Sequence, residues 1–336
     1  MKIGEIGEFG LIERITKMID GNPDRVLRGA GDDAAVVRSG TGKLLLFTCD
    51  AQIDGVHFLS DRTSPVQIGR RAAAVNLSDI AAMGGEARYA LVSIAMPDNI
   101  DVTFVEGIYE GMLFEMNLAG ATIIGGNTAR LPERLLIDVF LVGEVSENEL
   151  LTRDGAVSGD LLCVTGKLGA SAAGLELISN EQLNLGLNVD NVVMSRYLTP
   201  TPRLDASRVL ARSGVVSACI DVSDGLLQDA GHLAKSSEVS ITIEAGDVPI
   251  DSETVEVART FKKDVETWAL TGGEDFELLF TVAPDGKEKL FRDLFDETGL
   301  QATVIGFVSD GENGVRLLKE GHEVVGNIVG FDHFQN

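Results

Sequence analysis

The chain is short of positive charge and of cysteine, and each shortage removes a class of protein. Lys+Arg 28 against Asp+Glu 52 leaves a formal net charge of −24 over 336 residues. A surface that acidic repels nucleic acid and anionic membranes, so neither is an expected partner. Most of those acids serve solubility, but the charge sets one condition. A protein this acidic binds phosphates only through metal ions or well-placed arginines. Its three cysteines, Cys49, Cys163 and Cys219, lie far apart, in apolar runs and outside any CxxC spacing. That argues against a zinc site or a redox pair and predicts buried, reduced thiols. No apolar stretch reaches membrane-spanning length, and the N-terminus lacks a basic-then-apolar export pattern, so a soluble cytoplasmic protein is expected. A Walker P-loop is missing as well: Gly166-Lys167 has neither the upstream glycine spacing nor the following Ser/Thr. Protein-kinase signatures and Ser-His-Asp or Cys-His devices are also absent.

What the chain does have is a set of short clusters rich in glycine and carboxylate, most of them where a hydrophobic run ends. They read GDDAAV (Gly31–Val36), TCD (Thr48–Asp50), NLSD (Asn76–Asp79), GGNT (Gly125–Thr128), DVSDG (Asp221–Gly225) and GGEDFEL (Gly272–Leu278). Taken singly each has a bland reading. Asp32-Asp33 after a glycine makes a turn, Ser78-Asp79 makes a solvated helix face, and Ser223 or Asp224 caps a helix. Taken together they point to Mg²⁺ held against phosphate oxygens. Magnesium prefers hard oxygen ligands and shares its shell with nucleotides, and gathered carboxylates repel one another unless a cation neutralises them. A helix starting after DVSDG would also offer free amides to phosphate.

Length favours two domains. Helical spacing of Leu11, Ile12, Ile15, Met18 and Ile19 predicts an opening amphipathic helix, stopped by Asn22-Pro23. Strands are expected over Asp33–Val37, Leu44–Cys49, Arg88–Ala95, Ala121–Ile124 and Leu135–Val145, with helices over Pro65–Met83 and Asp101–Leu118. This order gives an α/β first domain over 1–148. The second, 149–336, mixes strands at Leu161–Thr165, Val216–Ile220, Val239–Glu244, Glu277–Val282 and Ala302–Val308 with helices near Gly169–Ile178, Pro202–Arg212, Leu226–Lys235, Thr254–Lys263 and Lys287–Thr298. Asn180–Asn191 reads as a polar loop.

In this order and spacing, GDDAAV, DGVHF (Asp54–Phe58), AVNLSDIAAMG (Ala74–Gly84), DVSDG and LTGGEDFELLFTV (Leu270–Val282) resemble the thiamine-monophosphate kinase family. That family belongs to the aminoimidazole ribonucleotide synthetase-like superfamily, and the resemblance runs from GEFGLI to FDHF (Phe331–Phe334). It implies an α/β (α+β) two-domain fold and a homodimer whose N-terminal domains pair through a β-barrel. It also implies transfer of the γ-phosphoryl group of ATP, with Mg²⁺, onto thiamine monophosphate to give thiamine diphosphate. By the resemblance, the metal ligands are Asp33, Thr48, Cys49, Asp50, Asp79, Asn127, Asp221 and Asp224, with Asp50, Asp221 and Asp224 as the catalytic carboxylates. Gly126, Asn127, Arg153, Ser223 and Tyr109 would contact the nucleotide, and His57, Glu274 and Ile328 the thiamine phosphate. Three positions depart from the family pattern: Asn127 stands for an aspartate, Cys49 for a threonine, and Ile328 for an aromatic residue. Two alternatives stay open: a related ATP-dependent enzyme with another acceptor, and a non-catalytic nucleotide-binding relative.

Overall fold

A computed structural model describes residues 2–19, 24–40, 42–180 and 187–324. The first half comprises α1 (Gly7–Thr16), β1 (Val26–Arg28), β2 (Ala35–Arg38), β3 (Lys43–Ile53), α2 (Pro65–Ala82), β4 (Glu86–Met96), α3 (Val102–Leu118), β5 (Thr122–Arg130) and β6 (Leu136–Ser146). Its sheet runs β1-β2-β3-β6-β4-β5. Only the β4–β5 pair is parallel, as expected for two strands joined through a crossover helix, α3.

Alternation along these strands decides which face is covered. Leu44 and Leu46 of β3, Ala90, Val92 and Ile94 of β4, and Ile137, Val139 and Leu141 of β6 are buried against α2 and α3. The intervening side chains form the other face, where Tyr89, Leu91 and Phe140 are exposed and Phe47 stacks on Phe140 with ring centroids 6.1 Å apart. The open face is therefore apolar, not the polar outer face usual for a half-covered sheet.

The second half comprises β7 (Leu161–Thr165), α4 (Ala170–Ser179), α5 (Leu187–Leu198), α6 (Leu204–Ser213), β8 (Val216–Asp221), α7 (Leu226–Ser237), β9 (Ser240–Glu244), α8 (Ser252–Phe261), α9 (Val265–Thr271), β10 (Leu278–Val282), α10 (Lys287–Thr298), β11 (Ala302–Ser309), β12 (Gly314–Lys319) and β13 (His322–Glu323). Its sheet runs β13-β12-β9-β11-β7-β10-β8, leaving β8 at one edge.

Helix α2 joins the halves. Ser64 caps it by accepting the Gln67 N–H, Pro65 occupies its first turn, and Gly84 stops it at φ +72°. Its length is buried on nearly every side. Ile68, Leu77 and Ile80 enter the first core, while Ala81 and Ala82 enter a cluster with Leu210, Cys163, Cys219 and Phe280 of the second half. Its alanines are needed because both faces are packed.

Several expectations need correction. Asp33 lies in the turn before β2, which begins at Ala35. The strand expected to stop at Ile124 continues to Arg130, so GGNT lies inside the edge strand β5. A Cβ on Gly126 would fall 1.9 Å from the Val92 carbonyl oxygen, so glycine is demanded there by close strand approach. The loop expected to Asn191 gives way to α5 at Leu187. The first helix ends at Thr16, and its expected stop at Asn22-Pro23 lies outside the described residues. Cys163 and Cys219 are buried thiols, but Cys49 is exposed on the open sheet face.

Helices α2 and α3 touch through reciprocal glycines: a Cβ on Gly111 would lie 2.0 Å from the Val66 carbonyl oxygen, and one on Gly69 1.8 Å from that of Ile108. Gly111→Ala should destabilise the protein in urea unfolding. Forcing two packed helices apart costs about 1–3 kcal/mol or more, against the ~1 kcal/mol that alanine gains over glycine within a helix. Gly246→Ala, where the added methyl meets nothing within 4 Å, is the neutral control. Equal midpoints for the two variants would contradict this packing.

Candidate functional site

A strand end, a helix and a turn deliver carboxylates to one place. Asp33 comes from the turn before β2, Asp79 from α2 and Asp221 from the last position of β8, and their oxygens lie within 4.8 Å of one another. Thr48 and Asp50 sit two apart on β3 and so share its covered face. The Thr48 hydroxyl donates a short hydrogen bond to Asp79. Ser78 Oγ donates to Asp221 at 2.5 Å, and Asn76 Oδ1 accepts the Asp50 N–H at 3.0 Å. Arg153 closes one side, with Nη2 2.5 Å and Nε 3.2 Å from Asp33 Oδ1 and its own N–H donating to Asp32.

The electrostatics are those of a site under repulsion. Burial, then the neighbouring Asp33 charge, pushes Asp221 up to about 8. Burial raises Asp79 well above the carboxylate range, with Asp50, Asp221 and Asp33 adding to it. Asp32 is pushed up to about 7 by burial and by Asp33. Burial also raises Asp33, while Arg153 pulls it back. Burial disfavours the Arg153 charge, but Asp33 outweighs it and the guanidinium pKa is raised. Asp33 Oδ2 is buried without a hydrogen-bond partner among the described residues. An unpartnered carboxylate oxygen facing two more carboxylates suits a hard divalent cation, and oxygen-only donors suit magnesium.

Beside this cluster the turn Ser223-Asp224-Gly225 precedes α7. Its three N–H groups, expected to be available to phosphate, all donate to Asp229 Oδ2 at 3.1 Å. Asp229, which the sequence reading passed over, is therefore the anchor of the turn. Asp224, Asp229 and His232 also bring ligand atoms within 4.8 Å of one another. Burial and Arg153 hold His232 down to about 4, and its ring lies 5.2 Å from that of Phe9 in α1.

A second network collects the expected acceptor contacts. Glu274, at φ +67°, donates its N–H to the Ser223 carbonyl at 2.7 Å and turns its carboxylate onto Arg71. Arg71 is buried and donates to Gln52 Oε1 at 3.0 Å and to the Tyr197 carbonyl at 2.5 Å, with its guanidinium 4.7 Å from the Tyr197 ring centroid. The Tyr197 hydroxyl donates to the His57 carbonyl at 3.2 Å, and His57 Nδ1 accepts the Ile53 N–H at 3.0 Å. His57 and Glu274 are thus linked through Tyr197 and Arg71, neither of which was singled out from sequence. Arg71 was hidden inside an apolar-looking helix, and Tyr197 on a helix read partly as loop.

Other expected residues stand apart. The Cys49 side chain lies on the opposite face of β3 from Thr48, so the thiol does not join the carboxylates; period-two alternation forbids it. Gly126 and Asn127 lie on β5, separated from Asp50 and Ala51 by β6 and β4. Strand spacing puts that at roughly 14 Å, so only an extended ligand reaches both. Tyr109 packs on the first core, where burial raises its phenol. Ile328 lies outside the described residues.

Comparison with known proteins bears on these observations. The model for AIR synthase related protein, N-terminal domain, matches residues 31–145, and that for the C-terminal domain matches 157–319. The thiamine-monophosphate kinase of Aquifex aeolicus (strain VF5) is 38% identical over 93% of this chain and 94% of its own. The chain belongs to the thiamine-monophosphate kinase family. Another thiamine-monophosphate kinase, from Bacillus subtilis (strain 168), is 34% identical over 98% of this chain and 99% of its own. The solved structure of AaThiL complexed with AMPPCP and TMP superposes with TM-score 0.87 at 35% identity, covering 99% of each chain. The fold is accordingly the two-domain one of the thiamine-monophosphate kinase family.

The raised carboxyls predict a pH effect on the cation-free protein. Because Asp32 and Asp221 titrate near 7 and 8 when folded, the folded chain holds protons that the unfolded chain releases near 4. Stability from these groups therefore falls as pH rises through that window. His232 acts in the opposite sense only below its ordinary 6.5. In chelator, the melting temperature should drop between about pH 6.5 and about pH 8.5, and millimolar Mg²⁺ should stabilise more at the higher pH. A flat profile with an equal Mg²⁺ effect at both ends would remove the repulsion from the account.

Proposed function

We propose that this chain phosphorylates thiamine monophosphate to thiamine diphosphate, taking the γ-phosphoryl group directly from ATP. The observation that carries this reading is the convergence of Asp33, Asp79 and Asp221 from separate segments around an unpartnered carboxylate oxygen. It is supported by full-length similarity to thiamine-monophosphate kinases and to AaThiL, which was solved with AMPPCP and TMP. Asp33, Thr48, Asp50, Asp79, Asp221 and Asp224 are the proposed magnesium ligands; Asn127 pairs in register with Ser93 and, across the sheet, with Ala51, which puts its side chain on the open face with Cys49. The chemistry that magnesium supplies when bound is neutralisation of phosphate oxygens.

The protein's own part is positioning. Arg153 is locked by Asp32 and Asp33, so its charge stays at a fixed place beside the nucleotide position. Ser223, Gly126 and Tyr109 are the remaining proposed nucleotide contacts. The turn carrying Ser223 is held rigid by Asp229. His57 and Glu274, joined through Arg71 and Tyr197, orient the acceptor. In transfer, the γ-phosphorus loses its bond to the β–γ bridging oxygen, ADP leaves, and an acceptor phosphate oxygen bonds to the phosphorus. That oxygen is already ionised, so no general base is required.

The proposed domain boundary is 148/149; a family match that ends at residue 145 and another that starts at 157 support it. Among the described residues no helix is long and apolar enough to cross a membrane, and a cytoplasmic location fits the buried thiols Cys163 and Cys219. The open apolar sheet face carrying Tyr89, Leu91 and Phe140 supports a homodimer whose two sheets close into a barrel.

Purified protein with ATP, Mg²⁺ and thiamine monophosphate should produce thiamine diphosphate. Asp50→Asn and Asp221→Asn should each lower turnover by roughly 10²-fold or more with the fold retained by circular dichroism. Absence of product, or normal turnover in both variants, would reject the reading. Phe140→Asp should shift the protein from dimer to monomer in sedimentation, whereas a wild type that is monomeric at micromolar concentration would exclude the barrel pairing.

A further inference from the structure

Away from the carboxylate cluster, α2, α5 and the segment leading into α6 enclose a cleft of about 510 Å³. Its walls carry Arg70, Arg196 and Arg203 with the hydroxyl residues Ser195, Thr199 and Thr201, and among the described residues no carboxylate lines it. On a chain of net charge −24, three guanidinium groups meeting in one acid-free cleft call for a chemical reason.

The carboxylates that hold these arginines lie behind the wall. Arg70 Nε donates to Glu115 at 2.6 Å, and its guanidinium carbon lies 4.6 Å from the Phe114 ring centroid. Arg203 grips the fully buried Glu277 through Nε at 2.8 Å and through Nη2, while Arg196 Nη1 reaches the same carboxylate at 3.4 Å. Three cations against Glu115 and Glu277 leave the cleft positive. The pairings also use only part of each fork: both Nη groups of Arg70, Nε and Nη2 of Arg196 and Nη1 of Arg203 have no protein partner among the described residues. Planar forks fixed from behind, with donors left over, match the requirements for a phosphate group.

We propose that this cleft is a binding site for a phosphate-bearing anion, separate from the catalytic cleft. Glu277 and Glu274 belong to the same short segment, and Arg70 adjoins Arg71. The cleft thereby borders the network that holds Glu274.

Isothermal titration of the full chain with inorganic pyrophosphate, in chelator so that no cation recruits anions to the carboxylate cluster, tests the proposal. Saturable binding is expected, and Asp50→Asn should bind equally well. Arg196→Gln, which leaves Glu277 held by Arg203 and Thr165, should weaken binding about tenfold or more, as loss of a charge-assisted contact does. Thr201→Glu, at an exposed position, places a like charge in the cleft without removing a contact and should do the same. If Arg196→Gln fails to fold, Thr201→Glu decides. No saturable binding, binding unchanged in Thr201→Glu, or binding lost in Asp50→Asn and kept in the cleft variants would overturn the site.

Discussion

Repulsion among Asp33, Asp79 and Asp221 is the constraint around which the molecule is organised. Carboxylates this close and this buried cannot all be charged in a low-dielectric setting, so burial and mutual repulsion raise them, Asp221 to about 8. One guanidinium, Arg153, serves the Asp32–Asp33 side and leaves Asp79 and Asp221, among the described residues, with hydroxyl donors alone, Thr48 and Ser78. A fold built for stability alone would place apolar groups there, because buried polar groups stabilise only when fully satisfied. The residual charge is useful only when something positive arrives with the substrate. For so acidic a chain to accept a triphosphate, local cations would have to reverse the sign of a field that otherwise opposes the approach.

The helix α2 makes this convergence possible. It delivers Arg71 to Gln52 and Glu274, Asn76 to the β3 backbone, Ser78 to Asp221 and Asp79 to the carboxylate cluster, all from one rigid rod. A helix can aim side chains in those directions at once only if it is surrounded, and α2 is. Sheet and α3 take one side, while β8 and α6 take another, with the Ser207 hydroxyl bonded to the Ala81 carbonyl. Site geometry is therefore tied to core packing, and small residues along α2 serve both.

Much of this was legible because strand ends and acidic residues coincide in the sequence. Asp221 closes an apolar run, and Asp50 follows one; alternation then fixes their side of the sheet. Alternation also sets Cys49 apart: Thr48-Cys49-Asp50 reads as one block in the sequence, but neighbours on a strand face opposite ways. The β5 error has a different source. Gly125-Gly126 resembles a strand terminator, and only the Val92 carbonyl on the adjoining strand reveals that glycine is needed for close approach. Asp229 and Arg71 act on backbone groups or partners distant in sequence, and no local pattern announces such contacts.

Local rules fail most clearly at Glu274 and Phe276, non-glycine residues at φ +67° and +50°. Such conformations cost on the order of 1–3 kcal/mol each, so something must offset them. Backbone pairing does part of it: Glu274 N–H bonds to the Ser223 carbonyl at 2.7 Å and Phe276 N–H to the Val222 carbonyl at 2.9 Å. Carboxylate pairing does the rest. In a regular strand Asp275 and Glu277 would point one way and Glu274 the other. Here Asp275 accepts the Gly169 and Ser171 N–H groups at the start of α4, Glu277 enters the arginine pair, and Glu274 swings to Arg71. Asp275 and Glu277 thus fasten the segment to the second half, while Glu274 ties it to α2 of the first. The positive-φ backbone at Glu274 and Phe276 is held between those anchors.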